Sequence, residues 1–234
     1  MDIILEYWGH MLAVMPDLLH GAVVTIKVTF LSVLFGGLIG LCVCLCRLSK
    51  RKWLSLPALG YIDIVRGTPL MVQILMIYFG MPGLLSQITG GPVTISGVTA
   101  GIIACSINSG AYVSEIIRSG IQSIDSGQME ASRSLGLNHA QSMMYVILPQ
   151  AFRNIIPPMG NEFIVLLKDS SLLSIIGVNE LMQQGKLYAA SEYAYFPAYL
   201  AIAVVYLIMT LSISRIVSVI EKRMSISDKS KQSA

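Results

Sequence analysis

"EASRSLGLNHAQSMMYVILP", residues Glu130 to Pro149, is a polar, turn-punctuated stretch in a chain that is 54% hydrophobic. Upstream of it, Asp125 followed by Gln128 is a capping-box pattern and predicts a helix from about Ser126. Gly136 supplies the left-handed cap that ends that helix. Asn138 with Gln141 repeats the start signal, and Pro149 stands where the next apolar segment begins. The local reading is two short helices joined by a glycine turn. Ala131 and Ser132 are small enough for another protein to approach closely, and Leu135, Leu137, Met143 and Met144 offer apolar contact. A helix lying on an anionic leaflet would carry more basic residues and no Glu130. The stretch therefore reads as a docking element.

Its surroundings are apolar runs. Only 12% of residues are charged, and the mean hydropathy is +0.70, far from soluble norms. Crossing a hydrocarbon core of about 30 Å takes roughly 20 helical residues. Five segments qualify: Leu18–Cys46, Leu56–Gly80, Ile95–Ile117, Pro149–Ile176 and Tyr193–Ile220. An odd number of crossings puts the termini on opposite sides.

Basic residues set the orientation. Twelve of the 16 Lys and Arg fall in three places. Arg47, Lys50, Arg51 and Lys52 follow the first segment; Arg118, Arg133 and Arg153 flank the third and fourth; Arg215, Lys222, Arg223, Lys229 and Lys231 lie near the C-terminus. The stretch 81–94 has none, and 177–192 has only Lys186. By the positive-inside rule the N-terminus is external, and the "EASRSLG" stretch and the C-terminus are cytoplasmic. Residues 1–17, acidic through Asp2, Glu6 and Asp17 and carrying Tyr7 and Trp8, lack a basic leader and read as a short external interfacial helix. The resulting division is an external segment (1–17), a five-helix transmembrane domain (18–220) with a cytoplasmic hairpin at about 122–149, and a cytoplasmic tail (221–234). Lys27, about two turns into the first segment, is expected to snorkel outward.

Several chemistries are missing from the sequence. It has no G-x-x-x-x-G-K-[ST] loop for nucleotide phosphates, no zinc-spaced His pair, and no nucleophile with a base. Cys42, Cys44 and Cys46 sit in an apolar helix where Cys44 points away from the other two, so they read as packing residues, as does Cys105. Gly36, Gly37 and Gly40 read as a close helix–helix approach.

Polar residues within the apolar segments are the remaining signal, because a charge at a helix centre costs about 2.5–3.5 kcal/mol on insertion scales. Asn108, Tyr112, Glu115 and Ser119 form one stripe. Arg66 and Gln73 share a face, with Asp63 a turn before Arg66. Asn154, Asn161 and Lys168 form one seven-residue series, and Glu162 and Asp169 another. Pro157–Pro158 is expected to break the helix that carries them. Asp63–Arg66 and Glu115–Arg118 have the spacing of local ion pairs. Asn161, Glu162 and Asp169, deeper and near the expected break, read as lining a pathway.

The opening stretch also resembles a known motif. "EASRSLG", then nine residues, then Val146, Ile147, Leu148 and Pro149 is similar to the EAA loop of ABC-importer permeases, E-A-A-x3-G-x9-I-x-L-P, with Ser132 for the second alanine and Val146 for the isoleucine. "VRGTPLMVQ" (65–73), "AYVSEIIRSGIQSIDSGQMEA" (111–131) and "GNEFIVLLKDSSLLSIIGVNEL" (160–181) resemble the permeases of polar amino-acid importers, of the histidine, glutamine, arginine and cystine type. The likeness runs from about Gly21 to Glu221.

That resemblance implies an all-α, MetI-like permease core in a bacterial cell membrane. It implies a second permease copy, identical or homologous, two ABC ATPase subunits that bind the ATP and Mg, and an external solute-binding protein that delivers an amino acid. It makes Glu130, Ala131, Gly136, Leu148 and Pro149 the residues that couple to the ATPases. The chain itself would need no cofactor and catalyse no reaction, and nothing in it points to nucleic acid. An amino acid needs both donors and acceptors in transit. Asn161, Glu162 and Asp169 are expected to hold positive groups and Asn108 either end, with a slight bias to basic amino acids. An ion-coupled secondary transporter, using Glu162 and Asp169 as its ion site, is the competing reading; it predicts matching halves that the sequence does not display. An intramembrane enzyme, a third reading, lacks a catalytic constellation.

Overall fold

The computed structural model describes the backbone of residues 2–232 and the side chains of residues 4–223. All regular structure among them is helical. The elements are α1 (Asp2–Leu48), α2 (Lys52–Gly67), α3 (Leu70–Leu75), α4 (Met81–Thr89), α5 (Gly97–Gln122), α6 (Ser126–Ser134), α7 (His139–Ser142), α8 (Leu148–Asp169), α9 (Leu181–Glu192) and α10 (Tyr195–Gln232). A 3₁₀ segment, Ser170–Ile176, follows α8.

Helix α1 runs unbroken for 47 residues through Pro16, about 70 Å at 1.5 Å per residue. The expected separate helix over 1–17 is thus absent as a distinct element. Val14 and Leu18 explain why. Both are fully buried against Leu181, Ala201, Ile202 and Val205, which draws the beginning of α1 into the bundle. Lys27 lies exposed on this helix, off the packed interior.

The second apolar segment departs most from expectation. Pro69 disfavours helix at the residue before it. Thr68 accordingly takes an extended conformation (φ −119°, ψ 144°), and α2 stops at Gly67. The apolar stretch long enough to cross a membrane is therefore Leu70–Thr89 rather than Leu56–Gly80. It includes α4, which occupies much of the expected 81–94 loop and ends at Gly90 with φ +71°.

By length and composition four helices could cross a membrane: Ile4–Leu48, Leu70–Thr89, Gly97–Gln122 and Tyr195–Arg223. The expected fourth segment forms α8, but Arg153, Glu162, Lys168 and Asp169 make it too polar to join that set. Pro157 and Pro158 do not break it; the helix passes through both and tightens only at Ser170. Two π turns, Met76–Gly80 and Met143–Ile147, each end two residues before a proline, Pro82 and Pro149. A proline has no N–H and crowds the carbonyl four residues back, and a widened turn relieves both problems. Helix α10 continues through the expected tail as far as Gln232; the side chains of Lys229 and Lys231 and residues 233–234 lie outside the described residues.

Helix α5 is the most buried of the crossing candidates and packs along α1. Glycine makes that seam close. A Cβ on Gly36 would stand 2.9 Å from Ser109 Cβ, on Gly40 2.7 Å from Val113 Cβ, and on Gly110 2.6 Å from Ile39 Cγ2. Gly37 faces open space, so two of the three expected glycines form the contact. Cys44 is buried while Cys42 is exposed and Cys46 partly so, and all are free thiols.

Helix α9 is pinned between α1 and α10. Glu180, fully buried, caps it by accepting from the Met182 and Gln183 amides at 2.8 and 2.7 Å and from the Tyr206 hydroxyl at 3.1 Å. The neighbouring Leu181 amide donates to Thr25 Oγ1 at 3.2 Å.

Candidate functional site

The break at Thr68–Pro69 opens the first of two functional regions. A cavity of about 450 Å³ lies between the end of α2, the start of α3, α5 and α8. Gln73 fastens its edge. Its Nε2 donates to the Val65 carbonyl at 2.8 Å and to Thr68 Oγ1 at 2.9 Å, which satisfies groups left by the end of α2. Its Oε1 accepts from Asn108 Nδ2 at 3.0 Å, tying the break to α5.

The cavity carries both signs of charge on different walls. Arg66 sits over the Tyr112 ring, 5.1 Å from its centroid, and forms no ion pair among the described residues. The expected Asp63–Arg66 pair does not form, because Arg66 instead turns toward Tyr112. From α8, Glu162 and Asp169 lie seven residues apart on one helix face, and both line the cavity. Glu162 is 8% exposed and accepts from Ser109 Oγ at 2.9 Å, a neutral donor that orients the carboxylate without cancelling its charge. Asn108, at the same cavity, spends its amide N–H on Gln73 and keeps its carbonyl oxygen uncommitted to the described residues.

Of the expected pathway residues, Asn108, Glu162 and Asp169 thus come together. Asn161 does not. It is one residue from Glu162, about 100° around the helix, and lies exposed away from the cavity. The sequence reading missed the part played by Gln73, Arg66 and Ser109. The Gly67–Thr68–Pro69 run was the available signal, since Gly and Pro in an apolar segment mark a break.

The second region is the hairpin. Asp125 caps α6 through its side chain to the Gly127 amide. Gly136, with φ +91°, closes a Schellman turn in which its N–H reaches Arg133 O at 3.0 Å and that of Leu137 reaches Ser132 O at 3.2 Å. Asn138 and Gln141 form the reciprocal capping box. Ser132 is buried where α6 packs on α7 and the π turn after it. Glu130, Ala131 and Gly136 are exposed on the outer side. Leu135 is 85% exposed, with Met144 and Tyr145 also open, so the hairpin ends in an apolar surface. Leu148 is partly buried and Pro149 exposed where the π turn passes into α8.

Two contacts fix the hairpin to the helices. Asn154 Nδ2 donates to Ser123 Oγ at 2.8 Å, and Gly120 brings α5 against Ile155 and Ala151 of α8. A turn further along α5, Glu115 pairs with Arg118 at 2.7 Å and with Arg47 at the end of α1. The local Glu115–Arg118 pair expected from spacing is therefore present, extended into a three-residue bridge. No group of His, Cys, Asp and Glu among the described residues could hold a metal.

Comparison with known proteins places the whole chain beside membrane transport components. The family described as "Binding-protein-dependent transport system inner membrane component" matches residues 32–226. The Escherichia coli (strain K12) "Glutamine transport system permease protein GlnP" is 38% identical over 219 residues, covering 94% of this chain and 98% of that one. The Bacillus subtilis (strain 168) "Probable amino-acid permease protein YxeN" is 37% identical over 93% of this chain and 96% of its own length. A solved structure titled "Crystal structure of an amino acid ABC transporter with histidines" contains a chain 46% identical, with a TM-score of 0.84 over 91% of this chain and 96% of that one. A chain of the MetNI methionine ABC transporter shares the fold at a TM-score of 0.73 and 22% identity, over 90% of this chain and 97% of its own.

Proposed function

The chain belongs to the family of binding-protein-dependent transport system inner membrane components, and on that premise we propose that it is the permease subunit of an ABC importer that passes a polar amino acid through the α2–α3–α5–α8 cavity. It is a multi-pass inner-membrane transport component and hydrolyses no ATP itself. The observation that carries the substrate class is the pair of opposed charges, Arg66 on one wall and Glu162 with Asp169 on the other. The polar ends of an amino acid, ammonium and carboxylate, match that pattern. Arg66 presents planar donors suited to the carboxylate. Glu162, Asp169 and the Asn108 carbonyl oxygen offer acceptors for the ammonium. A buried carboxylate without a cation is costly, and a bound ammonium offsets that cost. A volume of about 450 Å³ lies in the range of small-molecule sites. Two carboxylates against one guanidinium give a slight bias to basic amino acids, while glutamine, named for the Escherichia coli relative, and histidine, present with the solved amino-acid transporter, fit the same ends.

The basic-residue pattern supports an external N-terminus, a cytoplasmic C-terminus and five crossings, with α8 crossing despite its polarity because Glu162 and Asp169 face the cavity. The hairpin then lies in the cytoplasm, where Glu130, Ala131 and the apolar surface at Leu135, Met144 and Tyr145 meet two ATPase subunits. A second permease copy, identical or homologous, completes the assembly. ATP-driven closure of the ATPases would move the two hairpins, and through the Leu148–Pro149 junction it would rock α8 and the cavity walls between inward- and outward-facing states.

Reconstitution with the cognate ATPase and binding protein tests this reading. Polar amino acids should stimulate ATP hydrolysis and uptake, and uptake without ATPase subunits would refute it. One-sided labelling of Asn138→Cys in a background lacking native Cys should succeed only from the cytoplasmic side; labelling only from outside overturns the orientation.

A further inference from the structure

Far from the hairpin, at the other end of α1, a second cavity of about 250 Å³ lies between the first turns of α1 and the corner joining α9 to α10. Glu6 and Glu192 reach it from separate elements, and its walls include the rings of Tyr7, Tyr193, Tyr195 and Phe196. Tyr7 and Phe196 pack at 5.8 Å between centroids and hold the two elements together. His10, also at the cavity, is engaged with the Tyr188 hydroxyl at 3.0 Å. Neither Glu6 nor Glu192 has an ion pair among the described residues; the pairs there all converge on Glu115, at the far end of α1. Tyr193 is the one described non-glycine residue with positive φ (54°), and the residue is 83% exposed, so the corner displays an aromatic side chain instead of burying it.

Two exposed carboxylates without an ion pair, lining one cavity with four aromatic residues, favour an ammonium or guanidinium group, by charge and by the negative faces of the rings. The shape indicates how such a cation arrives. A site for a free small molecule usually encloses 70–90% of its ligand. Here Phe196 and Tyr195 are also 65% and 51% exposed, so the cavity grips one end of a group and leaves the rest outside. A basic side chain projecting from a larger surface meets that description, and exposed aromatic anchors are typical of protein contacts. Given the orientation proposed above, the cavity faces outward, on the side from which a binding-protein-dependent system receives its substrate. We infer that the Glu6–Glu192 aromatic cavity is a docking site for a lysine or arginine side chain of the solute-binding protein. The inference rests on the importer reading and its orientation.

The test uses the assembled transporter in vesicles, with its ATPase subunits, titrated with purified binding protein while ATP hydrolysis is followed. In the Glu6→Gln/Glu192→Gln variant the binding-protein concentration for half-stimulation should rise about tenfold, with the plateau rate unchanged. Raised salt should weaken stimulation of the wild type more than that of the variant. A photocrosslinker in place of Tyr193 should capture the binding protein at a peptide containing Lys or Arg. Coincident titration curves would overturn the inference, as would capture at a peptide with no basic residue. It would also fail if an alkylammonium bound to the transporter alone, in a manner lost in the variant, while binding-protein stimulation stayed the same, since the site would then serve a free cation. A wild-type complex that no binding protein stimulates would instead overturn the importer reading itself.

Discussion

Gly136→Val tests the hairpin as a mechanical part. The backbone at Gly136 has φ +91°, and a Cβ built there meets nothing within 4 Å. The substitution therefore introduces no clash with neighbours, and its cost is conformational. A non-glycine residue held in the left-handed region costs about 1–3 kcal/mol, and a β-branched one belongs at the upper end. At about 2 kcal/mol the correctly turned hairpin becomes roughly thirtyfold less favoured against alternatives in which the Schellman bonds from Gly136 and Leu137 are lost. Helix α6, carrying Glu130 and Ala131, would then lose its fixed angle to α7 and the π turn. No membrane helix is touched, so the variant should insert and purify at wild-type yield. Co-purification of the ATPase subunits, or substrate-stimulated ATP hydrolysis in vesicles, should fall at least tenfold. Gly136→Asn, which tolerates the left-handed region better, should lose less. Full ATP-dependent uptake by Gly136→Val would refute the reasoning, since it would mean that the turn geometry does not matter to coupling.

Gly40→Ala would place a methyl 2.7 Å from Val113 Cβ and 2.9 Å from the Gly110 carbonyl oxygen, and should cost about 1–3 kcal/mol in detergent unfolding, whereas Gly37→Ala should be nearly neutral; equal melting of the two would argue against the α1–α5 seam. Glu162→Gln keeps the bond from Ser109 within reach but removes the charge, so the complex should melt no lower than wild type while half-saturation for a basic amino acid rises about tenfold. Unaltered transport of every substrate would remove Glu162 from the site. Burial pushes the Glu180 carboxyl up to about 7 from an ordinary 4.5, against the opposing pull of its bonds from Met182, Gln183 and Tyr206. The unfolded chain then loses this proton near pH 4.5 and the folded one only near 7, so its contribution to stability is greatest below pH 4.5 and falls across that window, by about 3 kcal/mol at most. Glu180→Gln should flatten that fall in melts taken from pH 4.5 to 7.5, and parallel profiles for variant and wild type would contradict it.

The helical hairpin was legible in the sequence because every signal in it is local. Asp125, Gly136, Asn138 and Gln141 act on backbone groups within three or four residues; the Asn138–Gln141 box and the Gly136 turn form as their spacing requires, while Asp125 caps α6 through the Gly127 amide without the reciprocal bond expected of Gln128. Membrane character was legible for a similar reason, since crossing a bilayer is a matter of length and composition along one segment. Glu162 and Asp169 could be paired from sequence because seven residues bring a helix back to the same face. Only the tertiary structure decided the rest. Arg66 has an acidic residue one turn away in sequence, yet it stacks on Tyr112 of another helix. Asn161 shares the local polarity of Glu162, but its angle around α8 turns it away from the cavity. Residues 1–17 are acidic and aromatic enough to lie at an interface, yet Val14 and Leu18 find Leu181 and Val205, more than 150 residues away, and α1 stays one continuous helix. In each case the outcome depends on which other helix stands opposite. Sequence spacing fixes the face a residue occupies on its own helix, while the partner of that face is set by packing between segments far apart in the chain.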